Sequence, residues 1–348
     1  MSEFADRLIR WHRHGGRHDL PWQNTTDPYR IWLSEIMLQQ TQVDTVMPYY
    51  ARFLDQFPTL AALAAAPVEQ VMSLWSGLGY YARARNLHAC AQCIAQDHGG
   101  RFPDTAEAIA ALPGIGRSTA AAIAAFAFGE RAAILDGNVK RVLCRVFGIE
   151  GFPGSVPVEK RLWALADALL PETGIPVYIQ AQMDLGATVC VRGKPRCDDC
   201  PMQSMCVAYA SGRTRELPEA RPRKQPPLRT ATMAVVTDGR AVLLVRRPPQ
   251  GIWGGLLALP EIESGESPTQ WWDRAAGTTA CAIEALPALR HTFTHFVLDI
   301  TPVKLTPSSM EDLQLAADQE IHALADIAAL GLPTPVRKIL AKLRPPAA

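Results

Sequence analysis

The sequence lacks any hydrophobic run long enough to cross a lipid bilayer. Its longest apolar stretches, residues 119–129 and 252–260, fall short of the roughly 18 residues that a spanning helix needs. The first ten residues mix two acidic and two basic side chains with apolar ones, and lack the apolar run of about 7 to 15 residues that a signal peptide has. We therefore expect neither membrane insertion nor export.

A strong excess of charge is also missing. The 348 residues include 35 Lys and Arg and 34 Asp and Glu, which gives a formal net charge of +1. This balance excludes a globally cationic surface of the kind that binds nucleic acid non-specifically. The positive charge is local, because residues 212–230 carry six basic and two acidic side chains. A nucleic-acid partner would have to be held by local basic patches and backbone amides.

The apolar spacing changes once along the chain. Residues 1–211 have helical spacing almost throughout and predict an all-α domain of many short helices. Residues 212–229 are rich in proline and basic side chains and predict an extended linker. Residues 230–348 contain β-branched runs separated by Asp238-Gly239, a hairpin signal, and end in a helical pattern, so they predict an α+β domain. The predicted fold class is therefore multidomain.

Four of the eight cysteines fall within 17 residues, at positions 190, 197, 200 and 206. In a chain that is not secreted they are expected to be reduced thiols or metal ligands. Four thiolates suit a zinc ion, but zinc sites usually split into two C-x2-C pairs. The asymmetric one-loop spacing over 190–206 favours a [4Fe-4S] cluster, with Cys190, Cys197, Cys200 and Cys206 as ligands.

The segment LPGIGRSTA at 112–120 joins a short helix to an Ala-rich one. Gly114 and Gly116 permit a tight turn, and the exposed N–H groups of the next helix can hold a DNA phosphate. This pattern is typical of a helix-hairpin-helix, and the alternative is a joint that binds nothing. Asp136 follows about 20 residues later, where it either caps the next helix or acts in catalysis.

Together these features resemble the endonuclease-III-like branch of the helix-hairpin-helix DNA glycosylases. Three further motifs are similar to those of the MutY family of adenine DNA glycosylases: LPWQ at 20–23, WLSEIMLQQTQV at 32–43 and GLGYYARARN at 77–86. The resemblance covers nearly the whole chain. Endonuclease III is similar to residues 1–210 only, and it has a nucleophilic Lys where this chain has Ser118.

Glu35 stands in an uncharged stretch, residues 31–43, where helical spacing puts it one turn from Leu38 and Gln39. A lone acid on a helix is most often a surface residue. If this helix is buried, desolvation raises the carboxyl pKa toward about 6 to 7 and makes it an acid that works near neutral pH. Excision of adenine needs such an acid, together with a second, ionised carboxylate beside the sugar.

The resemblance implies the same roles: Glu35 protonates adenine and then assists attack of water, Asp136 stabilises the sugar cation, and Asn138 orients Asp136. It also implies DNA contacts. Trp22 and Leu38 match the walls of the adenine pocket. Gln40 and Tyr80 match residues that fill the gap left by the extruded base and buttress the opposite base, with Thr41 and Leu78 beside them. For the aromatic residues the alternative is ordinary core packing.

In the second domain, GIWGGL at 251–256 and LPE at 259–261 are similar to the front of a Nudix fold. The acidic, magnesium-binding helix of a Nudix enzyme is missing, so we expect no pyrophosphatase activity. In the family this domain recognises 8-oxoguanine. The segment RHTFTH at 290–295 matches its recognition loop, which implies contacts from Phe293, Thr294 and His295; the alternative is a β-strand in which they only pack.

The resemblance thus implies a monofunctional adenine DNA glycosylase of base-excision repair. Its implied partner is double-stranded DNA that contains adenine opposite 8-oxoguanine or guanine. We expect a cytoplasmic, nucleoid-associated monomer, and the sequence identifies no protein partner. The alternatives are a bifunctional glycosylase/lyase for oxidised pyrimidines and a non-catalytic Fe-S protein that binds DNA.

Overall fold

The computed structural model describes residues 2–221, 226–248, 251–276, 281–293, 295–311 and 313–343. The chain forms two compact units. One comprises Met1–Ala65 and Asn86–Arg223, and the other comprises Ala66–Arg85 and Lys224–Ala348. Within the described ranges, no helix has the length and apolar character that a membrane crossing requires.

The first unit is helical, as predicted. Its helices, with α5 of the other unit included to keep the chain order, are α1 (Glu3–Gly15), α2 (Pro28–Met37), α3 (Val43–Gln56), α4 (Leu60–Ala65), α5 (Val68–Trp75), α6 (Ala82–Asp97), α7 (Ala106–Ala110), α8 (Arg117–Phe128), α9 (Gly137–Phe147), α10 (Val156–Leu169), α11 (Ile175–Asp184) and α12 (Val207–Ala210). A π-helical turn, Leu185–Val189, follows α11 directly.

Local sequence signals explain where several of these helices stop. Helices α8 and α9 end at Gly129 and Gly148, which have left-handed backbones with φ of 72° and 63°. Glycine adopts this conformation without steric cost and pairs the last helical carbonyls. The buried faces of α1 and of α8 to α11 form one hydrophobic core, whose centre includes Leu143 and Leu162. That core holds α8 and α9 in fixed positions.

The second unit contains two β-sheets, which confirms the α+β prediction. Its strands are β1 (Leu228–Val236), β2 (Ala241–Arg246), β3 (Leu257–Ala258), β4 (Glu261–Ile262), β5 (Cys281–Ala285), β6 (Leu289–Thr292), β7 (Val297–Pro307) and β8 (Gln319–Ala323), and its helices are α5, α13 (Pro268–Ala276) and α14 (Thr334–Ala341). One sheet has the order β4-β1-β7-β5, with β6 also paired to β7. The other has the order β3-β2-β8.

The central pair of the larger sheet is parallel, and its register places Leu228 opposite Val297. β1 therefore begins two residues before position 230, inside the segment predicted as a linker. Ala234 and Val236 of β1 belong to a core that also contains Trp271 and Trp272. The strand begins early because β7 continues the pairing as far as Val297.

The compact units differ from the predicted domains in one further segment. Residues 66–85 lie within the predicted helical domain, yet they group with the C-terminal unit. The physical reason is a set of hydrogen bonds, among them one from Ser73 Oγ to the carbonyl oxygen of Ala329. Such pairing across more than 250 residues leaves no local signal in the sequence.

Candidate active site

Helix α2 carries Glu35 on a largely buried surface. The carboxylate of Asp27 caps the helix by accepting a hydrogen bond from the N–H of Tyr29 (2.9 Å), and Pro28 occupies the first turn. Trp32 and most other residues of α2 are buried. Glu35 is therefore a partly buried acid on an apolar helix, the environment in which the sequence argument makes it a proton donor.

Helix α2 ends at Met37, and the turn that follows it directly carries the predicted DNA contacts Leu38, Gln40 and Thr41. Leu38 is its C-cap, and its N–H bonds to the carbonyl oxygen of Ser34 (2.9 Å), so the predicted one-turn spacing from Glu35 holds. Gln40 lies in the following turn, is exposed, and has a left-handed backbone with φ of 57°. A left-handed backbone is strained in residues other than glycine, and such strained residues are common at functional sites.

Asp136 is the N-cap of α9. Its Oδ1 accepts a hydrogen bond from the N–H of Val139 (2.8 Å), so the capping interpretation is correct. The N–H of Leu135, the preceding residue, donates to Ser118 Oγ on α8 (2.9 Å). The carboxyl group is thus fixed from both sides, by the helix that it caps and by the helix that holds the segment before it.

The structure brings the two acids together. Glu35, Asp136 and Asn138 line one cavity of about 920 Å³. Four residues that were predicted to contact DNA line the same cavity: Trp22, Leu38, Gln40 and Thr41. The Trp22 ring is buried and packs edge-on against Tyr50, with 5.3 Å between ring centroids.

Burial acts on both carboxyl groups, but hydrogen bonds and a nearby positive charge oppose its effect at Asp136. It raises the pKa of Glu35 to about 8, and the nearby charge of Asp136 acts in the same direction. Burial also raises the pKa of Asp136, but the backbone N–H groups of Val139 and Asn138 and the charge of Arg141 oppose this rise. These groups favour the ionised form of Asp136, whereas Glu35, with its pKa at about 8, keeps its proton at neutral pH.

Asn138 is held by an arginine that sequence reasoning did not single out. Arg141 Nη2 donates to Asn138 Oδ1 (2.8 Å) and to the carbonyl oxygen of Gly186 (2.6 Å), and its Nε donates to the carbonyl oxygen of Cys190 (2.7 Å). Asn138 in turn hydrogen-bonds Asp136. The sequence signal that could have found Arg141 is a basic residue on α9 with a second one, Arg145, a single helical turn later.

Gln23 and Ser118, to which the sequence analysis assigns no role, both make structural hydrogen bonds. Gln23 Oε1 accepts from the N–H of Leu20 (3.1 Å), and its Nε2 donates to the carbonyl oxygen of Arg17 (2.9 Å). These bonds close the loop that carries Trp22. Ser118 supports the segment before Asp136, as described above.

The predicted helix-hairpin-helix is formed by α7, α8 and the turn between them. Gly114 has φ of 76°, and a Cβ atom there would lie 2.5 Å from the Cβ atom of Asn86. Only glycine fits this position without a shift. Gly116 is the N-cap of α8 and has no side chain to satisfy the first N–H groups of the helix, which are the groups that would face a phosphate.

The four cysteines predicted as cluster ligands line one small cavity, with apolar walls from Val142, Val146, Leu185 and Val189. Arg145 is buried beside it: Nη1 contacts Cys190 Sγ (3.3 Å) and donates to the carbonyl oxygen of Val191 (2.8 Å). A buried cation stabilises thiolates. Among the described residues, no three His, Cys, Asp or Glu side chains are grouped so that they could hold one metal ion.

The remaining predicted DNA contacts belong to the second unit. Leu78 is buried, whereas Tyr80 is 49% exposed and has a left-handed backbone with φ of 50°. Phe293 stacks on Phe296, with 4.3 Å between ring centroids, and His295 is exposed. Thr294 lies outside the described residues. The exposure of Tyr80 and His295 is compatible with contact to a ligand.

Comparison with known proteins identifies the family. The model of the HhH-GPD superfamily of base excision DNA repair proteins matches residues 33–168, and that of the NUDIX domain matches residues 231–342. A protein named adenine DNA glycosylase from Buchnera aphidicola subsp. Baizongia pistaciae is 35% identical over 98% of this chain and 97% of its own length.

Two further matches extend this likeness. The human protein named adenine DNA glycosylase is 34% identical over 93% of this chain and 72% of its own length. A solved structure of a thermostable thymine-DNA glycosylase is 32% identical and superposes with a TM-score of 0.55, covering 60% of this chain and 95% of that one. The match to the first relative, at 35% identity, extends over nearly the whole chain and so includes both units. The chain belongs to the adenine DNA glycosylases of the HhH-GPD superfamily.

Proposed function

We propose that this chain removes adenine opposite 8-oxoguanine, or opposite guanine, from double-stranded DNA and leaves an intact abasic strand. The observation that carries the proposal is the pair of acids in one cavity. Glu35 is protonated near neutral pH, and beside it the backbone N–H groups of Val139 and Asn138 favour the ionised form of Asp136. Two carboxyl groups with such separated behaviour are the requirement for cleaving a glycosidic bond.

In the proposed reaction, Glu35 gives its proton to N7 of adenine, so the purine departs as a neutral base rather than as an anion. The sugar develops oxocarbenium character, and the carboxylate of Asp136 stabilises that positive charge. Glu35, now ionised, accepts a proton from the water that attacks the sugar carbon. Asn138 keeps Asp136 in place, and it is itself held by Arg141.

The adenine must leave the base stack to reach these acids, which costs a few kcal/mol. Trp22 and Leu38 line the cavity with Glu35 and form the apolar walls of the proposed adenine pocket. Gln40 and Thr41 line the same cavity on the turn after α2. We propose that the exposed, strained Gln40 enters the gap that the extruded base leaves.

Selectivity for the lesion requires contact with the opposite base, because the adenine is the same whatever it faces. We assign these contacts to Tyr80, Leu78 and the end of the recognition loop, Phe293, Thr294 and His295, which follows β6. A good base contact discriminates by roughly 1 to 3 kcal/mol, or about 5- to 150-fold in affinity. A Phe293→Ala/His295→Ala variant should therefore lose most of its preference for 8-oxoguanine over guanine and still excise adenine.

We further propose that Cys190, Cys197, Cys200 and Cys206 hold a [4Fe-4S] cluster. Their shared cavity, their spacing within one loop and the buried guanidinium of Arg145 support this assignment. When bound, the cluster would cross-link the loop and the end of α11 as a structural element. The excision steps proposed above need only protons and water, so the cluster has no part in them.

The deciding assay measures release of free adenine from duplexes with adenine opposite 8-oxoguanine, guanine or thymine, followed by analysis of the strand without alkali. We expect base release with the highest rate opposite 8-oxoguanine, and no strand cleavage. Strand cleavage at the rate of base release would favour the bifunctional lyase instead. No base release from any of these duplexes would favour a non-catalytic DNA-binding protein.

A further inference from the structure

The loop between α5 and α6 holds its exposed tyrosine in a conformation that needs support. Gly77 and Gly79 have φ of 98° and 77°, and Tyr80 itself has φ of 50°. Glycine adopts such angles freely, but tyrosine does so only where surrounding contacts impose them. The structure therefore has to contain groups that hold Tyr80, and these groups determine where its side chain can act.

Arg83 is the first of these groups. Its Nη2 donates to the carbonyl oxygens of Leu78 (3.3 Å) and Gly79 (3.1 Å). The same guanidinium lies over the Tyr80 ring, 5.5 Å from the centroid, and over the Trp75 ring at 5.3 Å. These contacts come from the loop's own flanking helices, so they fix its internal shape but not its position relative to the recognition loop.

Hydrogen bonds to the C-terminal half of the same unit fix the position of the Tyr80 loop. Ser76 Oγ and the hydroxyl of Tyr81 both donate to the carbonyl oxygen of Leu332, each at 3.3 Å. Arg337 Nη2 donates to Ser76 Oγ and to the carbonyl oxygen of Leu330, each at 2.8 Å. Both ends of the Tyr80 loop are thus bonded to the segment just before α14.

A second connection leads from this loop toward the recognition loop. Arg85, in the first turn of α6, donates from Nη1 to the carbonyl oxygen of Gly254 at 2.6 Å. The preceding residue, Trp253, is 8% exposed and also has a left-handed backbone, with φ of 58°. Its ring packs against Phe293 at 5.9 Å and His291 at 6.4 Å between centroids.

We propose that Arg85 and Trp253 are positioning residues that set the placement of Tyr80 relative to Phe293, and thereby the selectivity for the base opposite adenine. This inference rests on the proposed function, in which both aromatic side chains contact that base. The hydrogen bond from Arg85 fixes the backbone on which Trp253 sits, and the Trp253 ring supports Phe293 on one side. Neither residue needs to touch DNA for this effect.

The test compares Arg85→Met with the wild type in single-turnover excision on duplexes with adenine opposite 8-oxoguanine and opposite guanine. Met keeps the length of the side chain and removes the donor, whereas Arg85→Lys restores one donor. Arg274→Met is the matched control, because Arg274 is an exposed arginine of the same unit that pairs with Glu266. We expect the rate ratio between the two duplexes to fall at least about fivefold in Arg85→Met, to recover partly in Arg85→Lys, and to stay unchanged in the control.

A double-mutant cycle with Trp253→Ala tests whether the two residues act through one connection. If they do, the double variant should lose no more selectivity than the more affected single variant. Binding is measured to duplexes with a non-cleavable 2′-fluoro adenine nucleotide opposite 8-oxoguanine or guanine. The ratio of the two affinities reports selectivity without catalysis. Should Trp253→Ala fail to fold by circular dichroism, the Arg85 series alone still decides the question.

The outcomes separate this inference from the proposed function. A wild type that shows no preference between the two duplexes contradicts the proposed lesion recognition itself. A wild type with a clear preference that Arg85→Met retains overturns only the positioning role. If the excision rates on both duplexes fall equally and their ratio does not change, Arg85 serves folding alone. That result would also overturn the positioning role.

Discussion

Replacing Glu35 by Gln removes the proposed proton donor while it keeps the size and shape of the side chain. Excision should fall by far more than tenfold, because an amide has no proton to give to the adenine. Binding to the mismatched duplex should stay nearly intact, since the cavity and its walls are unchanged. Single-turnover kinetics and a binding titration on the same duplex separate these two expectations.

The same change should stabilise the folded protein. The pKa of Glu35 lies at about 8 in the folded chain, because of burial and the charge of Asp136, against the ordinary value of 4.5. The folded chain thus holds a proton that the unfolded chain releases, so stability is lost as the pH rises from 4.5 to about 8. Holding that proton at pH 7 costs on the order of 3 kcal/mol.

Urea unfolding of the wild type and Glu35→Gln at several pH values measures this effect. The stability difference should be close to zero near pH 4.5 and grow as the pH rises toward 8. In parallel, wild-type excision should fall as the pH rises through about 8 and Glu35 ionises, and it should also fall at the acid side, where Asp136 takes up a proton. A difference that is constant with pH, or an excision rate that does not fall as the pH rises well above 8, would refute the reasoning.

Three further predictions concern the rest of the site. Asp136→Asn should lose excision and keep most of the helix cap, whereas Asp136→Ala should also destabilise the protein by about 1 kcal/mol in chemical denaturation, because the N–H of Val139 loses its partner. Because position 118 is Ser and Lys140 is held in an ion pair, borohydride should trap no covalent DNA adduct at a rate comparable with base release. Anaerobically purified protein should be brown and contain iron and sulfide, less so in Cys200→Ser; colourless protein with one zinc per chain would contradict the cluster.

The surroundings of Glu35 and Asp136, the proposed catalytic acids, could be predicted from local signals, whereas their roles came from the resemblance to the family. Glu35 stands alone in an apolar helix, and Asp136 precedes a helix that it caps, so both environments follow from neighbours a few residues away. The strained backbones of Gln40 and Tyr80 could not be predicted, because neither is a glycine and the supporting contacts decide them. Local spacing also predicted the cysteine cavity.

Long-range hydrogen bonds account for what the sequence could not reveal. Arg141 connects Asn138 to the carbonyl oxygens of Gly186 and Cys190, which are 45 and 49 residues away along the chain. The sequence pattern of residues 66–85 predicts part of the helical domain. Only their hydrogen bonds to Leu332 show that they belong to the other unit. Periodicity describes which face of an element is buried, but not which distant segment buries it.

The hydrogen bonds between the Tyr80 loop and the segment near Leu332 change how C-terminal truncations should be interpreted. A premature stop anywhere between the end of the helical unit and α14 removes the acceptor for both Ser76 and Tyr81. Such a chain would lose the support of a loop encoded some 250 residues earlier, even where the stop lies after the recognition loop and leaves that loop in place. Loss of activity in a truncated protein would therefore not show that the missing part acts in catalysis.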